Sequence, residues 1–141
     1  MTEYLQFAAA HPVLTTLLVL SFLAIIANEV HGNLTAGKKL SPPEAVRLIN
    51  DREAQVIDVR PVADFKKGHV MGAINIPSDK LKDRLTEVGK DKTRPVVVYC
   101  ALGGTATEAA KTLRAHGYAE ALPLRGGLNA WLAANLPVTA K

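Results

Sequence analysis

The chain of 141 residues contains one cysteine, Cys100. It directly follows the apolar run Pro95-Val96-Val97-Val98-Tyr99 and directly precedes Ala101-Leu102-Gly103-Gly104-Thr105. A lone cysteine excludes an intramolecular disulfide framework and any multi-cysteine metal site, and the four histidines show no paired ligand spacing, so neither a metal nor a cofactor is expected. Cys100 is then either a nucleophile or a small buried hydrophobe. Its position favours the nucleophile. A sulfur at the carboxyl end of a buried strand, followed by a short glycine-containing loop and a helix start, faces unpaired N–H groups and the positive end of the helix dipole. Such a nest suits a thiolate or a persulfide anion, and the glycines let the backbone of Ala101, Leu102, Gly103, Gly104 and Thr105 curl around it.

The elements that must position this loop are legible in outline. Ser41-Pro42-Pro43-Glu44 is a capping box that opens a helix to about Asn50. Gln55 to Val59 is a β-branched strand, and Pro61 opens a short helix through Phe65. Gly68 and Gly72 bracket a turn before a short strand, Ala73 to Ile76. Ser78 caps a helix through Val88, with Leu81, Leu85 and Val88 on one face. Pro95 to Cys100 is apolar without alternation, as in a strand buried on both faces of a parallel sheet. Thr105-x-x-Glu108 reads as a second capping box, opening a helix that Gly117 closes. A strand from Ala119 to Leu124, the turn Gly126-Gly127 and a helix from Leu128 to Asn135 follow. Strands alternating with helices predict a three-layer α/β/α sandwich around a parallel sheet.

Four stretches of this soluble part carry a resemblance. They are Val56-Ile57-Asp58-Val59-Arg60, Asp64-Phe65-x-x-Gly68-His69-Val70-x-Gly72-Ala73-Ile74-Asn75-Ile76-Pro77, Val97-Val98-Tyr99-Cys100 and Leu124-Arg125-Gly126-Gly127-Leu128-Asn129-Ala130-Trp131. Together they resemble the rhodanese family across Lys39 to Val138. The resemblance implies a sulfurtransferase fold in which Cys100 accepts a sulfane sulfur as a persulfide and passes it to a thiol or cyanide-like acceptor. The family loop usually reads Cys-x-x-Gly-x-Arg, and here Thr105 stands where the arginine would be and Ala101 where a basic residue is common. Arg60 and Arg125, each just past a strand, are the candidates to bind an anionic donor in its place. His69 reads as a packing or hydrogen-bonding residue rather than a general base, and Trp131 as core or a lid over the core edge.

Apolar residues are distributed unevenly. The 25 residues from Tyr4 to Asn28 carry no Lys, Arg, Asp or Glu, and 21 of them, Phe7 to Ala27, would reach about 31 Å as a helix, matching a hydrocarbon core of roughly 30 Å. A soluble core helix is seldom apolar all round for so long, and a cleaved signal peptide calls for Lys or Arg before the apolar run, where Met1 to His11 has none. The expectation is a transmembrane signal anchor over residues 1–30, a polar linker over 31–38 and the rhodanese-like domain over 39–141. All 17 basic residues follow the span, with Lys38 and Lys39 close behind it, so the domain is expected on the cytoplasmic side of a bacterial inner membrane and the N-terminus outside. One such anchor before one such domain resembles a bacterial arrangement. The basic residues alternate with acidic ones, as from Lys80 to Lys92, which argues against nucleic acid as a partner. Two function classes remain: a sulfurtransferase or persulfide carrier using Cys100, and a binding module that keeps the fold to recruit membrane partners. A cysteine phosphatase of related fold would need an arginine six residues after the cysteine, and Ala106 occupies that place.

Overall fold

In a computed structural model, residues 1–140 are described, with the side chains of 32–36 outside the description. Lys141, the end of the expected domain, also lies outside it. The chain divides into two compact units, Met1–Gly37 and Lys38–Lys141.

The first unit is helical. Helix α1 spans Thr2–Ala10 and α2 spans Pro12–Ala36, so the apolar segment is interrupted at His11, where the Phe7–Ala27 reading runs straight through. Pro12 causes the break: its ring bars α conformation at the preceding residue, and His11 adopts φ −126° and ψ 62°. Pro12 then serves as the first residue of α2, where its missing N–H costs nothing. The stretch long and apolar enough to cross a bilayer is Pro12–His31, with 20 residues, or about 30 Å of helix. Within the expected linker the helix continues through Ala36, and Gly37 ends it at φ 72°.

The second unit is built on a parallel sheet. Helix α3 (Pro42–Arg52) precedes β1 (Gln55–Asp58), α4 (Val62–Lys67), β2 (His69–Val70) and β3 (Ile74–Asn75). Strand β4 (Val96–Tyr99), α5 (Gly104–Ala115), β5 (Ala121–Pro123), α6 (Gly127–Ala133) and β6 (Val138–Thr139) complete it. The sheet order is β3-β1-β4-β5, with every neighbouring pair parallel, and Leu40 extends it by a parallel bridge to Leu124. The first capping box is present: Glu44 Oε2 accepts from the Ser41 backbone N–H at 2.8 Å and from the Ser41 hydroxyl at 2.8 Å.

Alternation along a strand sends successive side chains to opposite faces. On β4, Val96 and Val98 pack with Ala106, Ala109, Ala110 and Leu113 of α5, whereas Val97 and Tyr99 pack with Ala45, Leu124, Leu128 and Trp131. Helices therefore cover both faces, and the same parity continues one step to place the Cys100 side chain on the α5 face. The three small alanines allow α5 to approach the sheet closely. This is the three-layer α/β/α sandwich that the strand and helix alternation predicts.

Two expectations are corrected between the strands. The region Ser78 to Val88 forms two 3₁₀ turns, Ser78–Asp83 and Leu85–Val88, rather than one α-helix. Arg84 separates them at φ −118° and ψ 23°, and its guanidinium holds Glu87 three residues on, at 2.6 and 2.7 Å. That spacing fits a helix of three residues per turn, as does Leu85 with Val88. The Gly68–Gly72 segment is more than a turn, since β2 within it pairs antiparallel with β6 near the C-terminus.

A buried ion pair fixes the chain as it leaves β1. Asp58 is fully buried and accepts four bonds from Arg60, the backbone N–H at 2.9 Å, Nε at 3.1 Å to each oxygen and Nη2 at 2.7 Å. The same Nη2 donates to Gly68 O at 2.7 Å, and the guanidinium carbon lies 5.7 Å from the centre of the Tyr99 ring. Burial pushes the Tyr99 phenol up from its usual pKa, and its oxygen accepts the Val70 N–H at 3.0 Å. Residues 58, 60, 68, 70 and 99 thus tie β1, β2 and β4 together. Asp58→Ala should destabilise the domain by about 3 to 5 kcal/mol, because it leaves a buried guanidinium without its counter-charge. Urea unfolding of the full chain in detergent micelles, followed by fluorescence of the lone tryptophan Trp131, measures this. A loss under about 1 kcal/mol would mean that water replaces the carboxylate and that the pair does not hold the domain.

Candidate active site

The carboxyl ends of the strands meet at one edge, and Cys100 sits there, 6 % exposed, one residue past β4. Two backbone donors reach its sulfur. Gly103 N–H lies 2.9 Å from Sγ and Ala106 N–H 3.4 Å, so a negative sulfur there would be held by hydrogen bonds and by the first turn of α5. Gly103 takes φ 106° and is the residue that caps the helix. The capping box expected at Thr105 is therefore not formed: helix α5 begins at Gly104, which makes Thr105 its second residue, exposed and without a side-chain cap bond. Glycine supplies the left-handed turn that a threonine cap cannot.

A second element holds the loop from behind. Leu128 N–H donates to Cys100 O at 2.8 Å and Asn129 N–H donates to Ala101 O at 3.2 Å, so both loop carbonyls point into the first turn of α6. In a planar trans peptide the C=O and the following N–H point in opposite directions. Anchoring these carbonyls on α6 therefore aims the N–H groups of Ala101 and Leu102 away from it. Gly127 makes this approach feasible, since a Cβ there would lie 2.4 Å from Cys100 O and 2.6 Å from Ala101 O. Sequence reading took Gly126-Gly127 for a turn and missed the clamp. The available signal was two adjacent glycines immediately before a helix, where one glycine suffices for a turn.

The cleft over Cys100 has a volume of about 420 Å³ and is bordered by Arg60, Asp64, Ser78, Leu102, Gly104 and Thr105 among others. Of the loop residues predicted, Ala101 to Thr105, all but Gly103 line it, while Gly103 holds the sulfur from beneath. Arg60 also borders it, but Nε and Nη2 are occupied by Asp58 and Gly68 O and the residue is 9 % exposed. The geometry makes Arg60 a structural pair with Asp58 at the edge of the cleft. Arg125 is exposed and is not among the residues lining the cleft; its backbone N–H joins Leu40 O at 2.7 Å. His69 is 4 % exposed, stacked on Phe65 at 3.7 Å with Nδ1 2.8 Å from Phe65 O, which is a packing role. Trp131 is core, its Nε1 donating to Pro137 O at 3.0 Å. Asp64 and Ser78 are cleft residues that the sequence did not single out.

Comparison with known proteins converges on one family. The model of the rhodanese-like domain matches residues 41–134. The chain belongs to the rhodanese-like domain family. Among its rhodanese-like relatives, the protein YibN of Escherichia coli is 34% identical over 139 residues, covering 98% of this chain and 97% of YibN. The thiosulfate sulfurtransferase GlpE of Shewanella oneidensis is 31% identical over 102 residues, covering 72% of this chain and 99% of GlpE. Among solved structures, the Alr3790 protein of Anabaena superposes with a TM-score of 0.66 at 28% identity, covering 72% of this chain and 82% of that one. The rhodanese fold read from the four sequence stretches is thereby the fold of this chain, and sulfurtransferases are among its homologues.

The clamp generates a sharp contrast between neighbouring glycines. Gly127→Ala should cost about 2 to 5 kcal/mol, from a side chain at positive φ together with overlap against two carbonyls. Gly104→Ala, whose Cβ would meet nothing within 4 Å, should be neutral or stabilising by up to about 1 kcal/mol. Urea unfolding of both variants decides; equal stabilities would show that α6 does not hold the loop.

Proposed function

We propose that the protein is a sulfurtransferase that carries sulfane sulfur as a persulfide on Cys100, tethered to a membrane by α2. The observation that carries this reading is the pair of backbone N–H groups, from Gly103 and Ala106, directed at the sulfur of Cys100. A thiolate on Cys100 attacks the outer sulfur of a donor such as thiosulfate. The Cys100 S–S bond forms as the donor S–S bond breaks, and sulfite departs with the electron pair. The persulfide anion then sits where the loop N–H groups and the helix dipole favour negative charge. Attack by cyanide or a thiolate on the outer sulfur returns Cys100 as a thiolate.

A second reading, a non-catalytic module that recruits partners at the membrane, draws on Thr105, which stands where the family arginine would be, and on Arg60, whose guanidinium is committed to Asp58. Among the described residues the cleft thus offers no arginine free of a carboxylate partner to a dianionic donor, and turnover with thiosulfate should be weak even if the chemistry is intact. Incubating the full chain in detergent with thiosulfate or cysteine persulfide and weighing it intact separates the two. The proposal expects a gain of one sulfur atom, reversed by cyanide and absent in Cys100→Ser; a chain that takes up no sulfur from either donor makes the binding module the better reading.

The tether rests on α2 together with the cations that follow it. Its stretch Pro12–His31, 20 residues and mostly apolar, is long enough to span a bilayer, and Lys38 and Lys39 follow, so the positive-inside rule favours the domain in the cytoplasm and the N-terminus outside, in a bacterial inner membrane. Alkaline phosphatase, which is active only outside the reducing cytoplasm, tests this when fused after Lys141. The fusion should be inactive in cells that fractionate the protein with membranes, and strong activity would reverse the orientation.

A further inference from the structure

The helical first unit is longer than the span it supplies. Run as one straight helix, Thr2 to His31 would measure about 45 Å, against a hydrocarbon core of roughly 30 Å that Pro12–His31 fills alone. Helix α1 is surplus to the crossing, and the break at His11 lets it turn aside. One hydroxyl records the direction of the turn. In an unbroken helix Ala8 O would accept from the N–H of residue 12, and Pro12 has none. Thr15 fills the place, its hydroxyl shared between Ala8 O at 3.3 Å and His11 O at 3.0 Å. Among the described side chains of this unit, Ala8 and Thr15 are half-buried and all others are exposed. The two thus meet across the bend. Thr15 stands about 4.5 Å farther along α2 than Pro12, so the side of α1 that carries Ala8 is the side facing down the span.

The residues of α1 are sorted about that side. Positions three and four apart share a helix face, which puts Tyr4 and Leu5 with Ala8 and leaves Glu3 and Gln6 opposite. Tyr4 and Leu5 are 81 % and 70 % exposed. The one charged side chain of α1, Glu3, lies on the face turned away from the span. A bare apolar face with a phenol, facing down the span and continuous with the apolar surface of α2, fits the boundary of headgroups and acyl chains, where tyrosine is enriched.

The geometry points to α1 as an interfacial helix, lying flat on the bilayer surface at the N-terminal end of α2 with Tyr4 and Leu5 sunk into the boundary and Glu3 and Gln6 in water. This rests on the tether reading of α2 and adds a lipid-binding surface to it. The partner is the bilayer itself. The segment Met1 to His11 has none of the Lys and Arg that follow the other end of the span, and Tyr4 takes their part as the anchor that sets the depth of α2.

Single-cysteine chains test it, full-length and built on Cys100→Ser with one further change: Glu3→Cys, Tyr4→Cys, Leu5→Cys, Gln6→Cys or, inside the span, Leu20→Cys. Each carries a nitroxide label in vesicles of phosphatidylcholine and phosphatidylglycerol. Depth is read from collisions with oxygen, which dissolves among acyl chains, and with a nickel chelate, which stays in water. Labels replacing Tyr4 and Leu5 should sit about 10 Å deeper than those replacing Glu3 and Gln6, the width of a helix with its side chains. A depth that grows steadily from Glu3 to Gln6 by about 1.5 Å per residue would make α1 an upright continuation of the span and overturn the inference. So would four labels that all collide with the chelate, which leaves α1 in water, or labels at Tyr4 and Leu5 that meet neither reagent, which packing against a protein would produce. A Leu20 label found in water, by contrast, fails the tether reading itself.

Discussion

The contact on which the rest of the site depends is backbone to backbone: the first turn of α6 receiving Cys100 O and Ala101 O. A loop of four residues between a strand and a helix could curl in several ways, and most would leave the sulfur facing carbonyl oxygens. Fixing two carbonyls on α6 removes those alternatives, since peptide planarity turns the adjoining N–H groups to the opposite side. Gly127 admits the contact by having no Cβ, and Gly103 at φ 106° completes the turn that brings its own N–H to 2.9 Å from Sγ. The sulfur-holding property is thus located in main-chain geometry that a glycine at two positions permits. Loop side chains can then vary without changing it, which is why Ala101 and Thr105 are compatible with the family cradle.

The ion pair of Asp58 and Arg60 works on the other wall of the same cleft. By joining Arg60 to Asp58 and to Gly68 O it holds the segment after β1 against β2, and the Asn75 amide supports it by donating to Asp58 O at 3.1 Å and Arg60 O at 2.9 Å. The rim beside Cys100 is therefore rigid on both sides, with α6 behind the loop and this network across from it. The consequence is chemical as well as mechanical. A guanidinium paired with a buried carboxylate is a weaker ligand for outside anions, so the donors shown at the Cys100 sulfur are main-chain N–H groups, those of Gly103 and Ala106.

Which parts of this were legible in the sequence follows from how local each signal is. The β-branched runs of β1 and β4, the Ser41–Glu44 capping box and the strand-cysteine-glycine order are carried by neighbouring residues, and each element stands close to where they place it. The helix expected from Ser78 to Val88 failed because Leu81, Leu85 and Val88 keep the i, i+4, i+7 spacing of an α-helix, whereas the chain breaks at Arg84 into two 3₁₀ turns and only the i,i+3 pairs Leu85–Val88 and Arg84–Glu87 fit the tighter period. Thr105 looked like a cap because Thr-x-x-Glu is a local pattern, whereas the real cap, Gly103, takes its conformation from contact with the α6 turn, its Cβ position lying 3.2 Å from Gly126 N. Strands β2 and β6 are two residues each and pair across about two thirds of the domain's length, a distance no local pattern spans. Cys100 could be found from sequence; the residues that make its surroundings could not, because they act through backbone atoms of remote segments.

The route by which the chain enters the sheet bears on how the site can be used. Leu40 pairs in parallel with Leu124 beside β5, so the chain at Leu40 runs toward the carboxyl edge, and Lys38 and Lys39 precede it on the side of the amino edge. Lys38 accordingly borders a groove with Glu120, which stands just before β5. Leu124 is one residue past the end of β5, as Cys100 is one residue past the end of β4, so the bridge from Leu40 adds a further strand position at the same carboxyl edge that carries the thiol and braces that edge from the side of β5.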